Sequence, residues 1–369
     1  MNLESTAAVT TQHLLRDRNA QAAIRKCLAA AVRAPSGDNL QPWYFEVDEH
    51  TACISVFVDE SRDRSPMNSG QMGSIIACGA AVENILIEAA ANGLQARIEE
   101  GGGHCVATIK LTPDAVAPRN SAIRDRTTNR HVYDGRPVSS EAIATLENST
   151  PLRDGISTHW IHQRKKIDAL ARVIGGADAM MFGEDSMRKA FLSNVRFDRP
   201  VSEEAEAGLS LASLGLSFAD RMAMRMMRHV PGRVLRAAGA PGLFAAHARK
   251  LVESSSGLCA IAAPDATDRS LFRSGRAMQC AWLALTESGF AVQPMMSLMV
   301  LSNALERGTP HLIASLGRAR IEVLLAQFRA QLPEIAGKPL FLMRFGRTQT
   351  PHVRTGRLEP RVRDMGARR

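Results

Sequence analysis

Two short stretches concentrate the groups that do chemistry. In Arg126-Thr127-Thr128-Asn129-Arg130, two guanidinium groups flank hydroxyl and amide side chains. Planar, permanently charged forks beside small hydrogen-bonding groups suit a phosphate or the polar edge of a ring. A solvated turn leading into a helix at Ser140 would have the same composition, so the segment needs a complement elsewhere. The stretch RAPSGDNLQPWYFEV, residues 33 to 47, supplies one. Ser36 offers its hydroxyl, the Gly37 and Asp38 peptides offer N–H groups, and Pro42 is expected to hold Gln41 extended. Such a loop presents several donors to the carbonyl edge of a flat heterocycle, with Trp43 anchoring it to the core. An ordinary helix-to-strand turn reads the same way from composition alone.

Other chemistries find less support. The six cysteines contain no C-x-x-C pair, and a chain of 369 residues with 45% hydrophobic content does not depend on disulfides for a core. His159 and His162 have a spacing that a metal could use, but Trp160 and Ile161 between them suggest a strand with the two imidazoles on opposite faces. No metal site is expected, and no nucleophile or acid/base dyad stands out, so the catalytic residues stay unassigned. The net charge of +9 is local: residues 218 to 250 and 343 to 369 together carry +12, leaving the remainder at −3. Neither basic segment has the interleaved aromatics of a nucleic-acid reader, and local demand for an anionic group explains them equally well.

The elements that must position these groups follow from periodicity. A helix is expected over 18 to 33, then strands at WYFEV and CISVFV, a long helix from about 70 to 93, a strand at 105 to 111 and a proline-containing connector, TPDAVAPRN. The apolar run in the long helix is interrupted by Glu83 and Glu88, so no membrane span is expected. The N-terminus lacks a basic start followed by an apolar stretch, so the expected location is cytoplasmic. GAAVENILIEAAANG (79 to 93) and GRAMQCAWLALTESG (275 to 289) echo each other, each running from Gly to Gly through an apolar helical pattern. Gly-terminated helices recur by coincidence too, but with the polar loop confined to the first half and the arginine segment to the second, the chain is expected to divide into two related lobes, each holding half of one site.

The pattern Ala-Pro-Ser-Gly-Asp-Asn-Leu-Gln-Pro-Trp at 34 to 43, followed by the GAAVENILIEAAANGL helix, resembles the FMN-binding nitroreductase family. So do Arg126-x-Thr128-x-Arg130 running into Tyr133, the later GRAMQCAWLALTESGFAVQPM, and LFLMRFGR with TGRLEP near the C-terminus. The likeness is to the double-length, single-chain Acg-type branch. It implies an α+β fold of two lobes, each an antiparallel sheet packed by helices, forming one pseudo-dimer. Lobe one would be residues 1–120 and lobe two residues 121–369, with an insertion at about 180–255 that the resemblance does not cover. It also implies one FMN per chain. Arg126, Thr128 and Arg130 would meet the phosphate and the ring's polar edge, Arg357 the phosphate, and Ser36, Asn39 and Gln41 the ring from the other lobe. Pro294 and Met295, in the Gln293–Met296 run, would lie beside the flavin with backbone N–H groups within reach.

The activity so implied is hydride transfer from NAD(P)H to a small-molecule acceptor that the sequence does not identify. The alternatives are a flavin store closed by a lid and a flavin-dependent dehydrogenase or oxidase. A monomer is expected, with a homodimer as the other option. In the insertion, Arg221, Arg225 and Arg228 fall on one helical face among methionines. That segment reads as a core-packed helix with a solvated basic side, a lid, or a membrane-surface helix. No transmembrane segment and no nucleic-acid partner is expected.

Overall fold

The computed structural model describes residues 21–113, 122–150, 154–197, 207–350 and 353–364, so most of the connector expected at 112–120 lies outside the described residues. It has a mixed α+β architecture. Among the described residues the strands are, in chain order, β1 (Trp43–Asp48), β2 (Cys53–Val58), β3 (Leu94–Glu100), β4 (Cys105–Pro113), β5 (Ser157–Ile161), β6 (Val195–Arg196), β7 (Leu209–Ser210), β8 (Gly257–Ala263), β9 (Ala291–Pro294), β10 (Lys338–Gly346) and β11 (Val362–Asp364). The helices are α1 (21–31), α2 (Met72–Ala91), α3 (Ser140–Ser149), α4 (Arg164–Gly183), α5 (Asp185–Ser193), α6 (Phe218–Met227), α7 (Gly232–Ala237), α8 (Ala240–Glu253), α9 (Asp268–Glu287), α10 (Ser297–Arg307), α11 (Pro310–Leu316) and α12 (Arg318–Gln331).

Two main sheets result. The first has the order β11-β1-β2-β4-β3, antiparallel except for the parallel pairing of β11 with β1. The second, β5-β8-β10-β9, is antiparallel throughout. β1 and β2 alternate buried with half-buried positions, the period of a sheet with one covered face, whereas β8 is buried along its whole length. The C-terminal arginine segment does not stay beside β10. It crosses the molecule and ends as β11 on the edge of the first sheet, where Phe45 pairs with Val362.

Between the sheets lie the two echo helices. α2 and α9 are both 20 residues long, and each carries a glycine at its eighth position, Gly79 and Gly275. These glycines meet: a Cβ on Gly79 would lie 3.1 Å from the Gly275 Cα and would fall on the Phe272 carbonyl oxygen, while one on Gly275 would fall on that of Ile76. The closing glycines of the echo, Gly93 and Gly289, both have positive φ (69° and 74°), the conformation that ends a helix and turns the chain into the next strand, here β3 and β9. Glu83 on α2 is buried and ion-paired with Arg276 on α9 at 2.9 Å, and Asn84 accepts from Gln279 at 2.7 Å. Of the described helical segments, Pro66–Ala91 is long and apolar enough to cross a membrane, yet 72% of that window is buried inside the fold.

The insertion builds its own small core from Leu192, Val195, Phe197, Leu209, Leu211, Leu214 and Met224, separate from the main one. Its last helix, α8, packs on α4, with Gly175 facing the Ala245 carbonyl. His159 lies on β5 and His162 just beyond it, and among the described residues no His, Cys, Asp and Glu side chains gather as a metal site would require.

Candidate functional site

Where the head of α2, the 126–130 segment, α9, β9 and the C-terminal strap converge, a cavity of 480 Å³ opens, within the range of about 300–1,000 Å³ usual for small-molecule sites. Ser36, Asn39, Arg126, Thr128, Arg130, Pro294, Met295 and Arg357 all line it. Residues far apart in sequence are thus brought to one space. Gln41 is not in that lining.

One end of the cavity is strongly cationic. Arg126 is 5% exposed; its Nη2 donates to the Arg33 carbonyl at 2.9 Å, and its Cζ lies 4.7 Å from the centre of the Trp282 ring. Its Nε and Nη1 are buried with no hydrogen-bond partner. Arg357 donates through Nη1 to Asn39 Oδ1 at 2.8 Å and to Thr355 Oγ1 at 2.8 Å, and its Nε too is buried and unpaired. Burial pulls the Arg126 guanidinium well below its ordinary pKa, with the neighbouring Arg357, Arg354 and Arg33 adding to the effect. Burial, then Arg33, brings Arg357 down to about 10. Neither arginine has a carboxylate partner among the described residues. Buried N–H groups that protein does not satisfy cost free energy, and several like charges held together raise that cost, so this arrangement calls for an anion.

The facing loop is held in a conformation its residues rarely adopt. Asp38, Asn39 and Gln41 all have positive φ (45°, 58° and 54°). The extended backbone expected at Gln41 ahead of Pro42 is therefore not what forms. Long-range bonds override the local preference: Gln41 Oε1 accepts from the Leu358 N–H at 2.8 Å, its own N–H donates to Ser36 Oγ at 3.0 Å, and Asn39 Nδ2 donates to the Gly356 and Gly208 carbonyls. Gln41 thus acts behind the loop, tying it to the strap that carries Arg357. Backbone strain of this kind persists only where surrounding contacts fix it, as they do at binding sites.

The 126–130 segment runs beside β9. Thr128 bridges to Val292, and the Asn129 N–H donates to the Val292 carbonyl at 2.9 Å. Arg130 turns toward the insertion, its Nη1 donating to the Ser213 carbonyl at 3.1 Å. Burial lowers its pKa, opposed by nearby Asp38 and Tyr133. Tyr133 is itself fixed, donating to the Asn129 carbonyl at 2.7 Å with Arg344 stacked 3.8 Å from its ring centre. Arg344 also donates to Gln293 Oε1 at 2.8 Å, which sets the orientation of the 293–296 run. The backbone reach expected from that run is reduced: Pro294 has no N–H, and the Met295 N–H is spent on the Leu342 carbonyl at 2.8 Å.

Another part of the lining has no counterpart in the sequence reading. Asp178 on α4 borders the cavity and accepts a hydrogen bond from the Ser297 hydroxyl at the head of α10. Burial raises its carboxyl from 3.8 to about 7, with the Ser297 bond opposing. Its signal was a lone aspartate in the apolar half of a helix, IGGADAMMF. Asp220 and His247 also line the cavity, with Met224, Met227, Leu243 and Phe244 from the insertion. Because the folded chain holds the Asp178 proton more tightly than the unfolded chain does, stability falls as pH rises from about 4 to about 7. Asp178→Asn is therefore expected to leave the melting temperature of flavin-free protein nearly unchanged at the acid end of that window and to raise it progressively towards neutral pH. A thermal-shift series across the window checks this, and a constant difference would count against a buried, proton-holding Asp178.

No family model matches the chain. An uncharacterised protein of Mycobacterium tuberculosis is 27% identical over 305 residues, covering 79% of this chain and 42% of that protein. A candidate NAD(P)H nitroreductase of the same species, Acg, is 30% identical over 76 residues, 21% of this chain and 22% of that protein. Each match spans less than half the length of the relative. Among solved structures, the FMN-dependent nitroreductase NfnB from Mycobacterium smegmatis in complex with NADPH is matched with a TM-score of 0.33 and 18% identity, over 62% of this chain and 86% of that one. A superposition that loose has no bearing on the site. The chain is thus similar in part, and at low identity, to a nitroreductase.

Proposed function

We propose that this chain is an FMN-dependent oxidoreductase of the nitroreductase type, folded as two related lobes that build one flavin site between them. Lobe one is residues 1–120 with the Ser36–Asn39 loop; lobe two is residues 121–369, with the 180–255 insertion as a wall of the pocket. The observation that carries the reading is the set of buried, unpaired N–H groups on Arg126 and Arg357 at one end of the cavity. The abutment of Gly79 on Gly275 supports the two-lobe reading, since it joins the echo helices at equivalent positions.

The donor set fits FMN. Arg126 and Arg357 would hold the phosphate, and the anion would relieve the repulsion between them. Ser36 and Asn39 would meet the ring from lobe one, and Thr128, Arg130, Pro294 and Met295 would border it from lobe two. Bound there, FMN would supply the redox chemistry of hydride transfer between NAD(P)H and an acceptor. The chain's own part is to orient the ring, keep water from it and set the charge around it. Trp282 backs Arg126 and fixes the direction of its fork, and the apolar side chains of α4, α6 and α8 enclose the space where an acceptor would stack.

Anaerobic mixing with NADPH and with NADH tests the activity, and one of the two is expected to bleach the oxidised-flavin absorbance on the timescale of turnover. A flavin-loaded protein inert to both nicotinamides yet reduced by dithionite would overturn the reductase reading. It would favour the second reading, a flavin store, for which the coverage of the cavity by the insertion speaks.

A further inference from the structure

The insertion has an outer face as well as an inner one. On α6, Phe218, Met222 and Met226 stand at i, i+4 and i+8 and are 75%, 42% and 64% exposed. Val234 on α7 is 55% exposed and Leu243 on α8 is 71% exposed. Five of the eight large apolar side chains exposed among the described residues therefore lie within 218–243. Single exposed apolar residues need no explanation, but a concentration on three helices consecutive in the chain, two of which line the same cavity, points to a contact surface.

The same helices are basic. Residues 218–250 carry six arginines and Lys250 against Asp220. Arg236 is paired with Asp185 and Arg249 with Glu253, but Arg221, Arg225 and Arg233 have no carboxylate partner among the described residues. Arg221 and Arg225 donate instead to the Leu216 and Phe197 carbonyls, which fixes their stems along α6. On the helical wheel they stand directly beside the Phe218–Met226 stripe. An apolar stripe beside arginines that have no carboxylate partner among the described residues suits the boundary between acyl chains and anionic headgroups, where the apolar groups enter and the guanidinium groups meet phosphates.

The inner and outer faces meet at the cavity. Met224 and Met227 of α6 and Leu243 and Phe244 of α8 line it, so Leu243 belongs both to the lining and to the exposed set. We propose that α6–α8 dock the protein on an anionic lipid bilayer and that the cavity opens through this docking face, admitting an apolar, membrane-dissolved acceptor. The docking stands on the surface alone; the role of the admitted molecule as acceptor rests on the FMN reading above.

Sedimentation of the full chain with lipid vesicles tests the docking. Wild-type protein is expected to bind vesicles containing phosphatidylglycerol at least about tenfold more tightly than pure phosphatidylcholine vesicles, and Phe218→Glu/Met226→Glu to lose about tenfold or more of that binding. Neither substituted residue lines the cavity, so the variant's flavin content should equal that of wild type, and that content doubles as a check that it is folded. Failure of wild type to bind anionic vesicles, or undiminished binding by the variant, would overturn the proposal. So would a concentration-dependent dimer that the variant abolishes in the absence of any vesicle binding, because a second copy would then be the occupant of this face. Vesicle binding by a chain that takes up no flavin would keep the docking and sink the FMN reading instead.

Discussion

Gly275→Ala is expected to destabilise the fold by about 2–3 kcal/mol, as overpacking against an atom that cannot move aside. The added Cβ would fall on the Ile76 carbonyl oxygen of α2, which is backbone inside a helix, so relief requires the two helices to separate. Helix propensity predicts the opposite sign, because alanine is favoured over glycine in a helix interior by about 1 kcal/mol. Gly242 near the start of α8 supplies the control: no atom lies within 4 Å of the position its Cβ would take. Gly242→Ala should therefore stabilise by about 0.4–1 kcal/mol. Urea denaturation of the two variants checks both signs. If Gly275→Ala were neutral or stabilising, α2 and α9 would not cross in contact as described.

The second large effect separates a binding role for Arg126 from a structural one. Replacing Arg126 by methionine removes a buried guanidinium whose Nε and Nη1 are unpaired and whose neighbours are other arginines. In flavin-free protein the change should raise the melting temperature, since it removes an uncompensated buried charge at the loss of one bond to the Arg33 carbonyl. FMN affinity should fall, because a charge-assisted bond to phosphate contributes about 1.5–3 kcal/mol, or about ten- to hundredfold in Kd. Trp43→Phe, which conserves most of the packing volume behind the loop, should retain flavin far better. Opposite movements of apo stability and flavin affinity identify a residue kept for its ligand. A fall in apo stability with unchanged affinity would make Arg126 part of the scaffold.

The sequence carried the local features of this site and not its long-range ones. The Gly-to-Gly echo was legible because helix termination by glycine leaves a fixed trace, and the spacing that made it visible is the spacing that sets Gly79 against Gly275. The Ser36–Trp43 loop and the Arg126–Arg130 segment were legible from their dense polar groups. The left-handed backbone at Gln41 was not, because a hydrogen bond from Leu358, 317 residues away, overrides what Pro42 prefers. Asp178 was hidden for a related reason: a lone aspartate in a helix gives no sign of whether it faces water or a cavity until α10 is packed against α4. The return of the C-terminus to the first sheet as β11 rests on three residues of pairing, too short a stretch for periodicity to register.

Two lobes that build a single FMN site bind one flavin in each chain. Reconstituting the purified protein with excess FMN, removing the unbound flavin, and measuring the flavin released on denaturation per mole of chain gives this ratio. One FMN per chain is the predicted result; two per chain, or none retained, would contradict it.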